Sequence, residues 1–132
     1  MKLTADTNIL VRAIMEDDTR QAKAAQAALA EADVVALALP SLCELVWVLS
    51  QGYGISSAEI ANTLRGLINA ANVVVNRAAA EAGLALLEAG GDFADGVISH
   101  EGHWLGGETF VSFDKKAVKL LEAQSKPAHL LS

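Results

Sequence analysis

The feature that most constrains the fold is the alternation of short apolar runs with longer amphipathic runs. The segments 34–38 (VVALA) and 73–75 (VVV) are short, continuous and rich in valine, which is typical of buried strands. The runs between them are longer and repeat apolar residues at helical spacing, as Ile9, Leu10, Ala13 and Ile14 do. Strands that alternate with helices in this way indicate an α/β fold with a parallel sheet.

Capping and turn residues give the element boundaries. Ser56 and Glu59 form a capping box that starts a helix, Pro40 suits the first turn of another, and Gly90 ends a third. The predicted helices are 7–15, 19–32, 40–51, 56–70, 77–89, 92–103 and 114–124, and the predicted strands are 2–5, 34–38, 73–75, 109–112 and 129–131. We therefore expect residues 1–132 to form a single domain with a central, mainly parallel sheet of about four or five strands flanked by about seven helices.

Composition limits the classes of function. Hydrophobic residues make up 52% of the chain and charged residues 20%, which is typical of a folded globular protein and not of a disordered one. The 10 Lys and Arg residues against 16 Asp and Glu residues give a net charge of −6. This balance argues against a protein that coats nucleic acid through general basicity. It leaves open an enzyme that meets nucleic acid through metal ions.

The surroundings of the protein can also be inferred from the sequence. Cys43 is the single cysteine, so it forms no internal disulfide and fits a reducing compartment. The start of the chain has no apolar stretch of signal-peptide length, and no apolar run approaches the roughly 20 residues needed to cross a bilayer. We expect a cytoplasmic protein without a membrane partner. The mean hydropathy of +0.32 also fits a large buried interface, which predicts a homodimer.

Several acidic residues follow the predicted strands. Asp6 comes after the first strand and Asp114 after the fourth, while Asp92 and Asp95 begin the sixth helix. Since parallel α/β sheets place active sites at the carboxyl ends of their strands, these side chains are expected to gather at that edge. Aspartate is also a preferred helix N-cap, so a purely structural role is the alternative for Asp6, Asp92 and Asp114.

Glu44 has a different environment. It lies in a predicted helix that is apolar nearly all round, which predicts that Glu44 and Trp47 are buried, with an interface role as the alternative for Trp47. A buried carboxylate without a basic neighbour takes up a proton or binds a cation, unless it faces a gap open to solvent. Converging carboxylates favour Mg²⁺ or Mn²⁺, which prefer oxygen ligands and promote attack of water on a phosphodiester.

Four segments carry a family resemblance. They are 6–10 (DTNIL), 41–49 (SLCELVWVL), 92–98 (DFADGVI) and 112–114 (SFD). Together and in this order they resemble a PIN-domain ribonuclease, and more narrowly the VapC-type toxin of a bacterial toxin–antitoxin pair. The resemblance implies that Asp6, Glu44, Asp95 and Asp114 are catalytic and bind one or two Mg²⁺ or Mn²⁺ ions, with Asp92 as an additional candidate ligand.

The resemblance also implies supporting residues and partners. Thr7, Asn8 and Ser112 stand where the family places polar residues, which would hold either the carboxylates or the metal-bound water by hydrogen bonds. The implied substrate is RNA, often tRNA, and the implied protein partners are a second copy of the chain and a small antitoxin. Gly96 departs from the family pattern, which commonly has alanine there, and Ser112 replaces the commoner threonine.

Two basic residues are candidates for binding the substrate, and three other functions remain as alternatives to the ribonuclease. Arg12 and Lys115 follow Asp6 and Asp114 closely and are candidates for binding substrate phosphate, with a solvated helix face as the alternative. The alternative functions are a housekeeping PIN nuclease, a receiver-like or phosphatase-like phosphotransfer domain, and a binding module without catalysis. A phosphatase of the haloacid-dehalogenase type needs Asp-x-Asp after the first strand, whereas this chain has Asp6-Thr-Asn8.

Overall fold

The computed structural model describes residues 1–132 and has two compact units, Met1–Asn76 and Arg77–Ser132. The first unit is built on a parallel three-stranded sheet in which β2 lies between β1 and β3. Its register pairs Leu3 with Val35 and Val35 with Val73. The strands are β1 Lys2–Thr4, β2 Val34–Leu37 and β3 Val73–Val75, and the helices are α1 Thr7–Met15, α2 Thr19–Glu31, α3 Leu39–Trp47 and α4 Ser57–Ile68.

The second unit combines three helices with a parallel two-stranded sheet. Its helices are α5 Arg77–Glu88, α6 Phe93–Trp104 and α7 Lys115–Ala123, and its strands are β4 Phe110–Ser112 and β5 Ala128–Leu130. The register pairs Val111 with His129. None of the helices in the chain combines the length and the apolar composition that crossing a membrane requires.

Apolar side chains form the core of each unit. In the first unit, the fully buried residues include Leu10, Leu42, Leu45, Leu49, Ile60, Leu64 and Ile68. In the second unit they include Leu84, Leu86, Phe93 and Leu121. These residues recur at helical spacing along their helices, so burial of one apolar face explains why these segments are helical.

The α5–α6 pair is packed too closely for larger residues at two positions. A Cβ atom at Gly96 would collide with the backbone carbonyl oxygen of Ala82 and lie 2.8 Å from the Cα atom of Gly83. A Cβ atom at Gly83 would in turn lie 2.6 Å from the ring of Phe93. The absence of side chains at these glycines therefore allows the two helices to approach, and this explains why position 96 is a glycine.

The predicted fold class is confirmed. The chain has seven α-helices, and all of its paired strands run parallel. Most element boundaries fall within one or two residues of those predicted from the sequence. The hydrogen bonds divide the strands between two sheets, which the apolar pattern alone did not indicate.

The third helix differs from its prediction. It was expected to continue to Gln51, but α3 ends at Trp47 and a π-helical turn covers Val48–Gly52. The wider turn is closed by a hydrogen bond from the Tyr53 N–H to the Val48 carbonyl oxygen at 3.2 Å. Gly54 follows with a φ of +67°, a conformation that glycine adopts at little cost and that ends the helical segment.

Candidate active site

Asp6 lies where β1 ends and α1 begins. Its Oδ1 atom accepts a hydrogen bond of 2.7 Å from the backbone N–H of Asn8, so Asp6 is the N-cap of α1. The side chain is exposed. Since β1 is parallel to β2, this carboxylate lies at the carboxyl edge of the three-stranded sheet, as predicted. Asn8 contributes its backbone N–H here.

Glu44 lies in α3, and the hydroxyl of Thr7 connects it to the start of α1. The Thr7 Oγ1 atom donates a hydrogen bond of 3.3 Å to the Glu44 Oε2 atom. Within the first unit, the N-cap of α1, the first residue of α1 and one residue of α3 therefore bring Asp6, Thr7 and Glu44 together. We call Asp6 and Glu44 the first acidic group.

The prediction that Glu44 and Trp47 are buried was wrong. Both side chains are exposed, and 67% of the surface of Trp47 is accessible. The composition of α3 is apolar nearly all round, but only part of the helix faces the core, through Leu39, Leu42, Leu45 and Val46. The exposed positions are Pro40, Glu44, Trp47 and Gln51, which follow one another at helical spacing. Glu44 and Trp47 thus share the outer face of α3.

The second unit carries three aspartates at the starts of two helices. Asp92 is the N-cap of α6, where its Oδ1 atom accepts a hydrogen bond of 3.2 Å from the Ala94 N–H. Asp95 lies in the first turn of the same helix. Asp114 is the N-cap of α7, where its Oδ1 atom accepts hydrogen bonds from the N–H groups of Lys116 at 2.9 Å and Ala117 at 3.2 Å. We call Asp92, Asp95 and Asp114 the second acidic group.

Two contacts fix the backbone around the second acidic group. The Ser112 Oγ atom accepts a hydrogen bond of 2.9 Å from the N–H of Asp114, which holds the short segment between β4 and α7. Gly96, the neighbour of Asp95, is buried against α5. The carboxylates of this group therefore project from backbone segments with little freedom to move.

The electrostatics of the second acidic group are unfavourable in the absence of a cation. Partial burial, and then the negative charges of Asp92 and Asp114, raise the pKa of Asp95. Within this unit no Lys or Arg side chain forms an ion pair with any of the three carboxylates. Asp95 thus lies near two other carboxylates, and within this unit no basic side chain forms an ion pair with any of the three.

The sequence of the chain was compared with those of known protein families. The PIN domain family matches residues 4–122, which covers nearly the whole chain. The chain is a member of the PIN domain family. No curated protein and no solved structure matches the chain.

Membership gives the site a chemical class. PIN domains are typically metal-dependent nucleases, generally ribonucleases, and generally use divalent metal ions. The matched segment of this PIN domain contains both acidic groups. The predicted family is thereby confirmed at the level of the PIN domain, and a nuclease is the activity typical of such a domain.

The donor atoms of this PIN domain fit a hard divalent cation. Carboxylate oxygens are the protein ligands that Mg²⁺ and Mn²⁺ prefer, and both acidic groups offer them. No three His, Cys, Asp or Glu side chains stand together as a ready-made set of metal ligands. Mg²⁺ does not require such a set, because it is usually held by one or two carboxylates together with water and substrate phosphate.

The two basic residues proposed to bind phosphate differ in their surroundings. The guanidinium of Arg12 forms an ion pair with Asp17 at 3.1 Å, and the Tyr53 hydroxyl donates a hydrogen bond of 2.7 Å to the same carboxylate. Arg12 is therefore engaged in a contact that also includes Tyr53, the residue after the π-helical turn. No sequence pattern predicted this contact. Lys115 is exposed and begins α7, directly after Asp114.

Proposed function

We propose that the chain is a metal-dependent endoribonuclease that hydrolyses RNA phosphodiester bonds. In this proposal the carboxylates of Asp6, Glu44, Asp95 and Asp114 bind one or two Mg²⁺ or Mn²⁺ ions. The observation that carries it is the second acidic group of a PIN domain, in which partial burial and then the neighbouring aspartates raise the pKa of Asp95 and no basic side chain of that unit pairs with them. A cation between such carboxylates replaces repulsion by attraction and allows a phosphate to approach.

The chemistry is divided between the cation and the protein. A bound divalent cation stabilises the negative charge that develops on the phosphate and makes an attacking water more acidic. The hydrogen bond from Thr7 fixes the position of the Glu44 carboxylate. The caps formed by Asp6 and Asp114 fix two further carboxylates at the starts of helices. Lys115 offers a positive charge next to Asp114 for a phosphate of the RNA.

The test is RNA cleavage by matched variants. Asp6→Asn and Asp114→Asn each remove a charge but keep a good N-cap residue, so the fold is expected to persist. Each change is expected to abolish Mg²⁺-dependent cleavage of an unstructured RNA, whereas Glu122→Gln, an exposed acid at the other end of α7, is expected to leave it unchanged. Cleavage that survives both changes, or that proceeds equally in EDTA, would contradict the proposal.

We further propose that this nuclease is the toxin of a type II toxin–antitoxin pair and acts as a homodimer. Its net charge of −6 favours a small basic antitoxin as partner. Expression of the wild-type protein without an antitoxin is expected to arrest growth, and expression of the Asp114→Asn variant is not. Cleavage in vitro without growth arrest would instead support a housekeeping PIN nuclease. A monomer mass by light scattering would reject the dimer.

A further inference from the structure

The aromatic residues of this chain are unusually exposed. The sequence has three Phe, two Trp and one Tyr, and three of these six are largely accessible. Exposed fractions are 67% for Trp47, 75% for Phe113 and 78% for Trp104. Tryptophan is highly buried on average, so two exposed tryptophans in a chain of 132 residues call for a physical explanation.

Trp47 lies next to the first acidic group. It follows Glu44 by three residues on the exposed face of α3, and side chains at this spacing have their Cβ atoms about 5–6 Å apart. The adjacent residues Leu45 and Val46 are buried and anchor the helix. Trp47 is the last residue of α3 before the π-helical turn. Its indole is thus presented to solvent from a fixed backbone, one helical turn from a carboxylate.

Phe113 lies next to the second acidic group. It is the residue between Ser112 and Asp114, and the hydrogen bond between those two neighbours holds its backbone at 2.9 Å. The cap that Asp114 provides for α7 fixes the following residue as well. Each unit therefore presents one exposed aromatic ring on rigid backbone close to its own carboxylates.

We propose that Trp47 and Phe113 each stack on an unpaired base of RNA whose phosphates lie at the neighbouring carboxylates. This inference rests on the proposed ribonuclease function and names its substrate class as single-stranded RNA. Bases of single strands stack on aromatic side chains without strong sequence preference, whereas bases inside a duplex are already stacked and inaccessible. An acidic chain has few basic side chains with which to hold phosphates, so stacking supplies affinity that general charge attraction does not.

Trp104 provides a matched control. It is as exposed as Trp47, but it lies nine residues after Asp95 on α6, about 14 Å away along the helix axis. Its indole N–H donates a hydrogen bond of 3.1 Å to the Nε2 atom of His100. Replacing Trp104 therefore removes a similarly exposed ring at the end of α6 opposite to Asp92 and Asp95.

The first experiment measures stacking directly by fluorescence. The Trp104→Phe variant leaves Trp47 as the single tryptophan. An unpaired oligoribonucleotide is expected to quench its emission, and a fully paired duplex of the same strand is not. Quenching is measured with Ca²⁺ in place of Mg²⁺, because Ca²⁺ also binds oxygen ligands and can offset the repulsion between carboxylates and phosphates. A gel of the same sample checks that the RNA stays intact. No quenching by the single strand, or equal quenching by the duplex, would overturn the proposal for Trp47.

The second experiment separates binding from chemistry. With an unpaired RNA substrate, Trp47→Ala and Phe113→Ala are each expected to raise KM by roughly five- to 100-fold, the fold-change that corresponds to one base–aromatic stack, with little change in kcat. Trp47→Phe is expected to restore most of the affinity and Trp47→Leu is not, because only the former keeps a ring. Trp104→Ala is expected to change KM less than about two-fold, within the effect of an uninvolved surface residue.

The outcomes distinguish this inference from the function on which it rests. Unchanged KM values in Trp47→Ala and Phe113→Ala, with wild-type cleavage intact, would overturn the stacking role and leave the nuclease in place. Loss of oligomeric mass in light scattering, without any change in KM, would assign these rings to a protein–protein contact and also overturn it. A wild-type protein that cleaves no RNA would contradict the proposed function itself.

Discussion

The two acidic groups of this PIN domain are held in different ways. In the first group Glu44 is exposed and is positioned by a hydrogen bond from Thr7. In the second group Asp95 is half-buried, and burial together with its acidic neighbours raises its pKa. In the first group a neutral hydroxyl therefore donates a hydrogen bond to an exposed carboxylate, whereas in the second group Asp95 lies near two other carboxylates. We predict that the second group contributes more than the first to binding the cation that the proposed function requires.

The sharpest test of this difference is to neutralise one acid in each group. Asp95→Asn and Glu44→Gln are both expected to lower the rate of RNA cleavage by more than about 100-fold, above the loss typical of residues that only support a metal ligand. Their effects on stability should differ. Asp95→Asn removes like-charge repulsion and is expected to raise the melting temperature at neutral pH in EDTA, while Glu44→Gln leaves it unchanged.

Addition of Mn²⁺ provides the control for this prediction. A ligand that binds only the folded state raises the melting temperature by mass action. The rise is expected to be large in the wild type and small in Asp95→Asn. Equal rises in the wild type and in the variant would show that the second group is not the main source of cation binding, and the comparison between the groups would fail.

A smaller loss is expected from the residue that supports the first group. Thr7→Val keeps the shape of the side chain but removes the hydroxyl that donates to Glu44. Loss of such a support typically costs about 10- to 100-fold in activity or metal affinity. Thr7→Ser keeps the hydroxyl and is expected to retain most of the cleavage rate. Wild-type cleavage by Thr7→Val would mean that Glu44 needs no positioning by this hydrogen bond.

Helix packing offers a test within α6. Gly96→Ala places a methyl group against the backbone of α5, which cannot move aside easily, and is expected to lower the free energy of unfolding by about 1–3 kcal/mol. Gly102→Ala adds the same methyl group on the same helix, at a position where no atom lies within 4 Å of it. Because alanine favours a helix more than glycine does, this change is expected to raise the free energy of unfolding by up to about 1 kcal/mol. Chemical denaturation of both variants measures the contrast. Equal changes in the free energy of unfolding for the two variants would mean that α5 and α6 move apart easily to accommodate a methyl group.

The smallest expected effect concerns Asp17, outside both acidic groups. The hydrogen bond from Tyr53 lowers the pKa of Asp17 below that of an unfolded aspartate. The stability linked to this carboxylate is therefore present above the unfolded pKa and is lost as the pH falls through the lowered folded pKa. Tyr53→Phe is expected to be less stable than the wild type at neutral pH, and the difference should vanish in acid. Thermal unfolding measured across this pH range tests it.

Much of the fold could be predicted from local patterns. The valine-rich runs and the capping residues identified the helices and strands because each signal lies within one element. The positions of Asp6 and Asp114 at the carboxyl ends of strands followed from the same order of elements. The family could also be predicted from the sequence, because four short segments that resemble PIN-domain motifs occur in the expected order along the chain.

Features that depend on contacts between elements could not be predicted. Glu44 and Trp47 were expected to be buried because α3 is apolar in composition, but composition does not say which side of a helix meets the core. The π-helical turn at Val48–Gly52 is too short to produce a periodic signal. Gly96 looked like a weak helix residue, and only its contact with Ala82 explains why a side chain is excluded.

In each of the three N-capping aspartates, only one of the two carboxylate oxygen atoms accepts the capping hydrogen bonds. In Asp6, Asp92 and Asp114 it is the Oδ1 atom that accepts the backbone hydrogen bonds of the helix. The Oδ2 atom of each carboxylate remains available to another partner. A structural role as N-cap therefore leaves one oxygen atom of each carboxylate for the chemical role proposed above. The helix fixes each carboxylate in orientation as it folds, so an incoming cation would meet oxygen atoms that need no further ordering.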